Sequence, residues 1–209
     1  MTTPGRLQAY RDDGAISLML GRLAGGYVAP LHGFAVAMAV AGVLLAARVG
    51  EQRTLALFAP VVALLLTGPS AGHLHDGRID WLVPPGIRAI EYGYLAALGF
   101  AQDVAAPLVF VLIAVLAYHH HDIVYRARQG HRPSARFPVL RPGLGWDGRM
   151  LLVAFAGLSD LLPFAYATLA VYLGVTLVRG GVLPRVPSAE GVRVGTRGGV
   201  TLDLEEEEA

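Results

Sequence analysis

The sequence predicts an all-α integral membrane protein of about six transmembrane helices, five being the alternative count, with an interfacial helix near the N-terminus. Three observations predict it. Of the 209 residues 54% are hydrophobic and only 16% charged, and mean hydropathy is +0.51, which is the composition of a membrane protein. The apolar residues are gathered into runs that approach or exceed the roughly 20 residues a helix needs to cross a hydrocarbon core. Arginine, finally, is divided unevenly among the segments between those runs, as the positive-inside bias requires.

The same composition excludes several classes of function. Cysteine is absent, so disulfides, thiolate metal sites and cysteine catalysis are ruled out. The net charge is +1, and the basic residues flank apolar runs without forming a stripe, so the footprint of a nucleic-acid binder is missing. Membrane lipid is the expected partner. All 17 basic side chains are arginine, which points to a GC-rich bacterial genome.

Residues 1–26 form a cytoplasmic leader. Asp12 and Asp13 precede a short apolar stretch that Arg22 interrupts, the wrong order for a cleavable signal. Ile16, Leu20 and Leu23 fall at helical spacing beside Arg22, which suits a short helix lying in the membrane interface. Residues 27–180 form the helical membrane domain. Its first spans are 27–47, which holds His32 as a packing residue, and 54–72, with Pro60 as a tolerated kink. Next come 86–101, with Arg88 and Glu91 in its first turns, and 104–121 after only Gln102 and Asp103. The last apolar stretch, 150–178, is too long for one span, and "LSDLLP" (158–163) supplies a polar turn and a helix-starting proline, so a hairpin of two helices is expected.

Loop charge orients these spans. With the N-terminus inside, cytoplasmic segments hold Arg6, Arg11, Arg22, Arg78, six arginines between 126 and 149, Arg179 and Arg185. Outer loops keep Arg48 and Arg53 beside Glu51, Asp103 and Asp160. Six spans with both termini cytoplasmic obey the bias, whereas five would put an arginine-bearing tail outside. Residues 181–209, rich in glycine and charge, read as a disordered cytoplasmic tail. The expected location is the bacterial cytoplasmic (inner) membrane.

This topology collects the polar groups on one side. "YHHHDIVYRAR" (118–128) ends the fourth span, and "GHLHDGRIDW" (72–81), the Arg88 and Glu91 turn and "GWDGRM" (145–150) converge on it. On a helix Tyr118, Asp122 and Tyr125 share a face, as do Asp122 and Arg126, with His119 three residues before Asp122. Arginine forks match phosphate oxygens and carboxylates hold the divalent cation that accompanies a diphosphate, so a ligand site is one reading. Interfacial anchoring by Tyr and Arg is the other. Glu91 inside a span needs a partner, and Arg88, three residues earlier, is the nearest; a structural ion pair and a functional carboxylate stand as alternatives. Trp81 and Trp146 fit an interfacial belt. "DGR" occurs at both 76–78 and 147–149, weak evidence of duplication. "HLHD" (73–76) and "HHHD" (119–122) admit a histidine-ligated metal enzyme as a further alternative.

The strings "DGRIDWLVPPGIRAIEYGY", "YHHHDIVYRAR" and "GWDGRMLLVA" resemble a bacterial membrane domain of unknown function often fused behind a CDP-alcohol phosphotransferase domain, sometimes with a nucleotidyltransferase. The resemblance covers roughly residues 70–180. It rests on Asp80, Trp81, Arg88, Glu91, Tyr92, His119, His120, Asp122, Tyr125, Arg126, Arg128, Trp146, Asp147 and Arg149, with His121 standing where an aromatic is expected. The leader is similar to the entry of a CDP-alcohol phosphotransferase, but that enzyme's Asp-Gly, Ala-Arg and spaced-aspartate signature is missing. The resemblance therefore implies a pathway, phospholipid-type head-group transfer from CDP-alcohols or to phosphopolyols, more than an activity.

The chain would act on such head groups at the cytoplasmic face as a related phosphotransferase, or serve as a non-enzymatic scaffold or partner subunit of one, or self-associate as a homodimer. If it is catalytic, Glu91 or His120 would deprotonate the acceptor hydroxyl, with Asp122 and Tyr125 in the same site. Asp76, Asp122 and Asp147 would hold Mg2+ or Mn2+. Arg78, Arg126, Arg128 and Arg149 would clamp phosphate.

Overall fold

The computed structural model describes residues 10–28, 30–46, 57, 59–73, 77–129 and 144–182. They are all-helical, with no strand among them. Seven α-helices run in the order α1 (Ala15–Leu23), α2 (Pro30–Ala46), α3 (Ala59–Thr67), α4 (Val83–Ala101), α5 (Ala106–Arg128), α6 (Gly145–Leu158) and α7 (Leu162–Val182). Short 3-10 segments at Gly68–Gly72 and Asp80–Leu82 join α3 to α4. The segment of expected outer arginines, Asp76, the loop arginines 132–141 and the tail beyond 182 lie outside the described residues.

Helix starts and stops follow local chemistry. Prolines open α4 and α5 within their first two positions, where a missing N–H costs nothing. Pro60 is the second described residue of α3. The hairpins α4–α5 and α6–α7 turn in the same way. In the first, Asp103 takes φ +55 and Val104 N–H donates to Gly99 O at 2.9 Å; in the second, Asp160 takes φ +55 and Leu161 N–H donates to Ala156 O at 2.9 Å. Each is a helix C-cap of the Schellman kind with aspartate in the left-handed position glycine usually holds. The expected hairpin at 158–163 is thus present.

Each long helix buries one stripe and leaves apolar side chains on the other. Val109, Leu112 and Leu116 of α5, at helical spacing, pack with Leu95 and Leu98 of α4 and Leu169 and Leu173 of α7 in one core. Outward stand Phe110 and Val111 on α5 and Phe164, Val171 and Val178 on α7. Helices α5 and α7 are long and apolar enough to cross a membrane, α7 over Leu162–Arg179. The α1 helix docks on Gly68–Gly72 through two glycines: a Cβ on Gly21 would lie 2.6 Å from Gly72 N, so no side chain fits between them. His32, expected to pack, is exposed on α2.

Candidate functional site

The inverse of the apolar exterior is a buried polar core at one end of the bundle. It is built from the leader, α4, the last turns of α5 and the first turn of α6. Leader residues Arg11, Asp12 and Asp13 are 0%, 7% and 3% exposed, Glu91 and Arg149 are 0% and both His119 and His120 are 6%. Burial of so many charges is tolerable only if they are paired and hydrogen-bonded.

Arg149 is the hub. Its Nε donates to Glu91 Oε1 at 2.7 Å and its Nη2 to Glu91 Oε2 at 3.2 Å, a bidentate grip. Its Nη1 donates to Asp12 Oδ2 at 2.9 Å. His120 Nε2 lies 3.2 Å from Arg149 Nη2, 3.5 Å from Asp12 Oδ2 and 3.6 Å from Glu91 Oε2. On the outer side His120 Nδ1 meets the half-buried Tyr92 hydroxyl at 2.6 Å. Burial alone would raise the Asp12 carboxyl, but the Arg149 guanidinium, His120 and Arg88 outweigh it and hold the group well below the usual carboxylate range.

A second set of contacts fixes the leader backbone. Arg88 donates to the carbonyls of Tyr10 and Arg11. Arg11 bonds Asp13, Ser70 Oγ at 2.9 Å and Thr67 O at 3.0 Å. Trp146 Nε1 donates to Asp13 Oδ1 at 2.9 Å, and its backbone N–H to Asp12 O at 3.1 Å. Asp147 Oδ2 accepts the Ser17 N–H at 2.8 Å, satisfying one of the free donors in the first turn of α1 from another helix. Leu144 and Gly145, at φ +63 and +73, bend the chain into α6 so that Trp146, Asp147 and Arg149 all face inward.

The expected site residues divide accordingly. Glu91, His120, Asp147 and Arg149 are buried in this core. Glu91 pairs with Arg149, not with Arg88 as helical spacing suggests; Arg88 turns to leader carbonyls, because a guanidinium on α6 reaches Glu91 with better geometry. The other residues stand elsewhere. Asp122 and Arg126 pair with each other at 2.5 Å, about a third exposed or less, and Tyr125 is exposed. Arg128 is exposed at the C-terminus of α5, where a cation suits the helix dipole, and Arg78 is exposed in a turn.

Asp122 pairs with Arg126 and Asp147 accepts the Ser17 N–H, while Asp76 lies outside the described residues. Among the described residues no three His, Cys, Asp or Glu side chains come together as metal ligands would. Trp81 is 57% exposed, whereas Trp146 is 1% exposed and belongs to the core, not to an interfacial belt. The two "DGR" strings are not equivalent either: Arg149 is the buried hub while Arg78 faces outward.

Sequence reasoning missed the "RDD" of residues 11–13 as site residues. They sit in a polar leader whose composition carried no signal that it folds into the bundle.

No curated protein and no solved structure matches the chain. One family model does, over residues 2–194, so with its buried Arg149 hub and docked leader the chain belongs to a family of unknown function, DUF5941.

Proposed function

We propose that the protein is a six-span protein of the bacterial cytoplasmic membrane, both termini inside, serving as a non-catalytic partner subunit in CDP-alcohol or phosphopolyol head-group transfer. The pathway comes from the sequence resemblance. The membrane setting is supported by charge gathered inside one end while Phe100, Phe110, Phe155 and Phe164 stand 48–72% exposed, an inside-out distribution that lipid tolerates and water does not.

The observation that carries the non-catalytic reading is that the buried groups of the core able to clamp a phosphate and its cation are already engaged with one another. In the buried core Arg149 holds Glu91 and Asp12, and Asp147 holds the start of α1. A ligand would have to break these contacts before making its own, at the cost of leaving buried charges unpaired. The network instead presses the leader against three helices and gives the cytoplasmic end a fixed shape on which a transferase can dock.

One observation favours catalysis. Tyr92, His120 and the Glu91 and Asp12 carboxylates form a chain of proton-carrying groups whose outer member, Tyr92, reaches the edge of the core. A single experiment separates the readings: incorporation of labelled head group from a CDP-alcohol by membranes of cells carrying His120→Gln. A partner subunit retains at least half of wild-type incorporation. Loss of a general base lowers it about 100-fold or more, and that result, with the protein present at normal abundance, would refute the non-catalytic reading.

A further inference from the structure

The last turns of α5 carry a second feature that the buried core does not use. Tyr118, His121, Asp122 and Tyr125, with Leu177 of α7, line an open cleft of about 290 Å³. That is the lower limit for a small-molecule pocket, room for a head group and little more. The rings are arranged along one helix edge: His121 stacks on Tyr125 at 11° between planes with centroids 6.4 Å apart, and Tyr118 lies 6.4 Å from His121 on the other side. Tyr118 and Tyr125 are 73% and 53% exposed. They meet no membrane-anchoring need that one tyrosine would not satisfy.

Aromatic faces beside a carboxylate form an electronegative lining, which attracts an alkylammonium by cation–π contact and charge. The carboxylate, Asp122, is paired with Arg126 one turn on, at 2.5 Å. A lone cation would meet the adjacent guanidinium and a lone anion would meet Asp122. A molecule with both charges meets neither penalty, since its ammonium faces Asp122 and the rings while its phosphate faces the Arg126 fork. We propose that this cleft binds a zwitterionic alkylammonium phosphodiester head group, of the phosphocholine or phosphoethanolamine kind. The ligand chemistry does not depend on the partner-subunit reading; only a bilayer source for the head group depends on the membrane placement of α5.

The test uses the full chain in a neutral detergent and measures saturation transfer to the N-methyl protons of glycerophosphocholine. It is repeated with tetramethylammonium and with glycerol phosphate, and then in nanodiscs of phosphatidylcholine or of phosphatidylglycerol. Glycerophosphocholine should bind at least tenfold more tightly than either half-molecule. Tyr125→Leu should weaken it about tenfold, the loss of about 1.4 kcal/mol that one desolvated cation–π contact accounts for. Exchanging the charges, Asp122→Arg with Arg126→Asp, keeps an i,i+4 pair and so spares the helix, yet should also weaken binding, because the ammonium would then face a guanidinium at position 122 beside the rings. An unchanged melting temperature in both variants establishes that they are folded. If phosphatidylcholine discs occupy the cleft and phosphatidylglycerol discs do not, the ligand is a lipid; if only the soluble head group binds, the ligand is a soluble metabolite. Failure of glycerophosphocholine and phosphatidylcholine alike, or binding unaffected in both variants, overturns the proposal. None of these results bears on His120, so the partner-subunit reading stands or falls separately.

Discussion

Replacing Arg149 by methionine tests whether the buried network holds the fold together. Methionine fills much of the same volume without charge, so the effect isolates electrostatics from packing. Glu91 and Asp12 would lose three short contacts, at 2.7, 2.9 and 3.2 Å, and both carboxylates are at least nine-tenths buried. Breaking one buried pair costs about 3–5 kcal/mol. Two carboxylates share this guanidinium, but Arg88 remains close to both, so a loss of about 4–5 kcal/mol is expected on the same basis. Glu91→Gln alone should cost less, about 3 kcal/mol, because Arg149 keeps Asp12. The triple variant Asp12→Asn, Glu91→Gln, Arg149→Met leaves no unpaired charge among these groups and should recover at least half of the loss. Unfolding of the purified protein by SDS in mixed micelles, followed by fluorescence of the buried Trp146, provides the measurement. Arg149→Met within 1 kcal/mol of wild type, or a triple variant as unstable as the single one, would show that the network contributes little and refute the argument.

Three further outcomes are expected. Because the folded Asp12 carboxyl titrates below its ordinary value, its stabilisation is complete above the unfolded pKa of about 4 and fades as pH falls towards the folded one; the stability gap between wild type and Asp12→Asn should be constant from pH 8 to 5 and close below about 4. A Cβ on Gly14 would fall 2.0 Å from Asp147 Oδ1 and 2.5 Å from Leu144 O, so Gly14→Ala should push Asp147 off the start of α1 and lower stability by about 2–4 kcal/mol, visible in the same unfolding assay. Asp160 sits at φ +55, so Asp160→Gly should raise stability by roughly 0.5–1 kcal/mol while Asp160→Val lowers it by more than about 1 kcal/mol, read as opposite shifts in melting temperature.

The helices were legible because apolar helices announce themselves by local composition, and the α6–α7 turn because Asp160 and Pro163 interrupt an apolar run in sequence as they do in space. The pairing of charges was not legible. Arg88 and Glu91 are three apart and share a helix face, which makes their pairing the natural expectation, yet i,i+3 neighbours only can meet, and the choice of Arg149 is made by how α6 packs on α4. Asp12 and Asp13 were invisible for a related reason. A polar leader has the same composition whether it lies in water or is drawn into a bundle, and only the positions of Arg149, Trp146 and Ser70 in space decide which.

The distance along the chain between the leader and its partners has a consequence for how the protein is made. Asp12 and Arg149 are 137 residues apart, Asp13 and Trp146 are 133 apart, and Ser17 and Asp147 are 130 apart. Three tethers therefore converge on residues within 146–149, synthesised long after the leader. At about 5–20 residues per second the leader leaves the ribosome roughly 7–27 s before its counter-charge exists. Throughout that interval two acidic groups destined for the interior must stay solvated while the earlier helices form and pack. Arrival of α6 both supplies the guanidinium and closes the loop, at an entropic cost that grows only slowly with its length. Residues 10–17 are thus among the last to settle, and a nascent chain halted before residue 146 would still display them to proteases that the finished protein excludes.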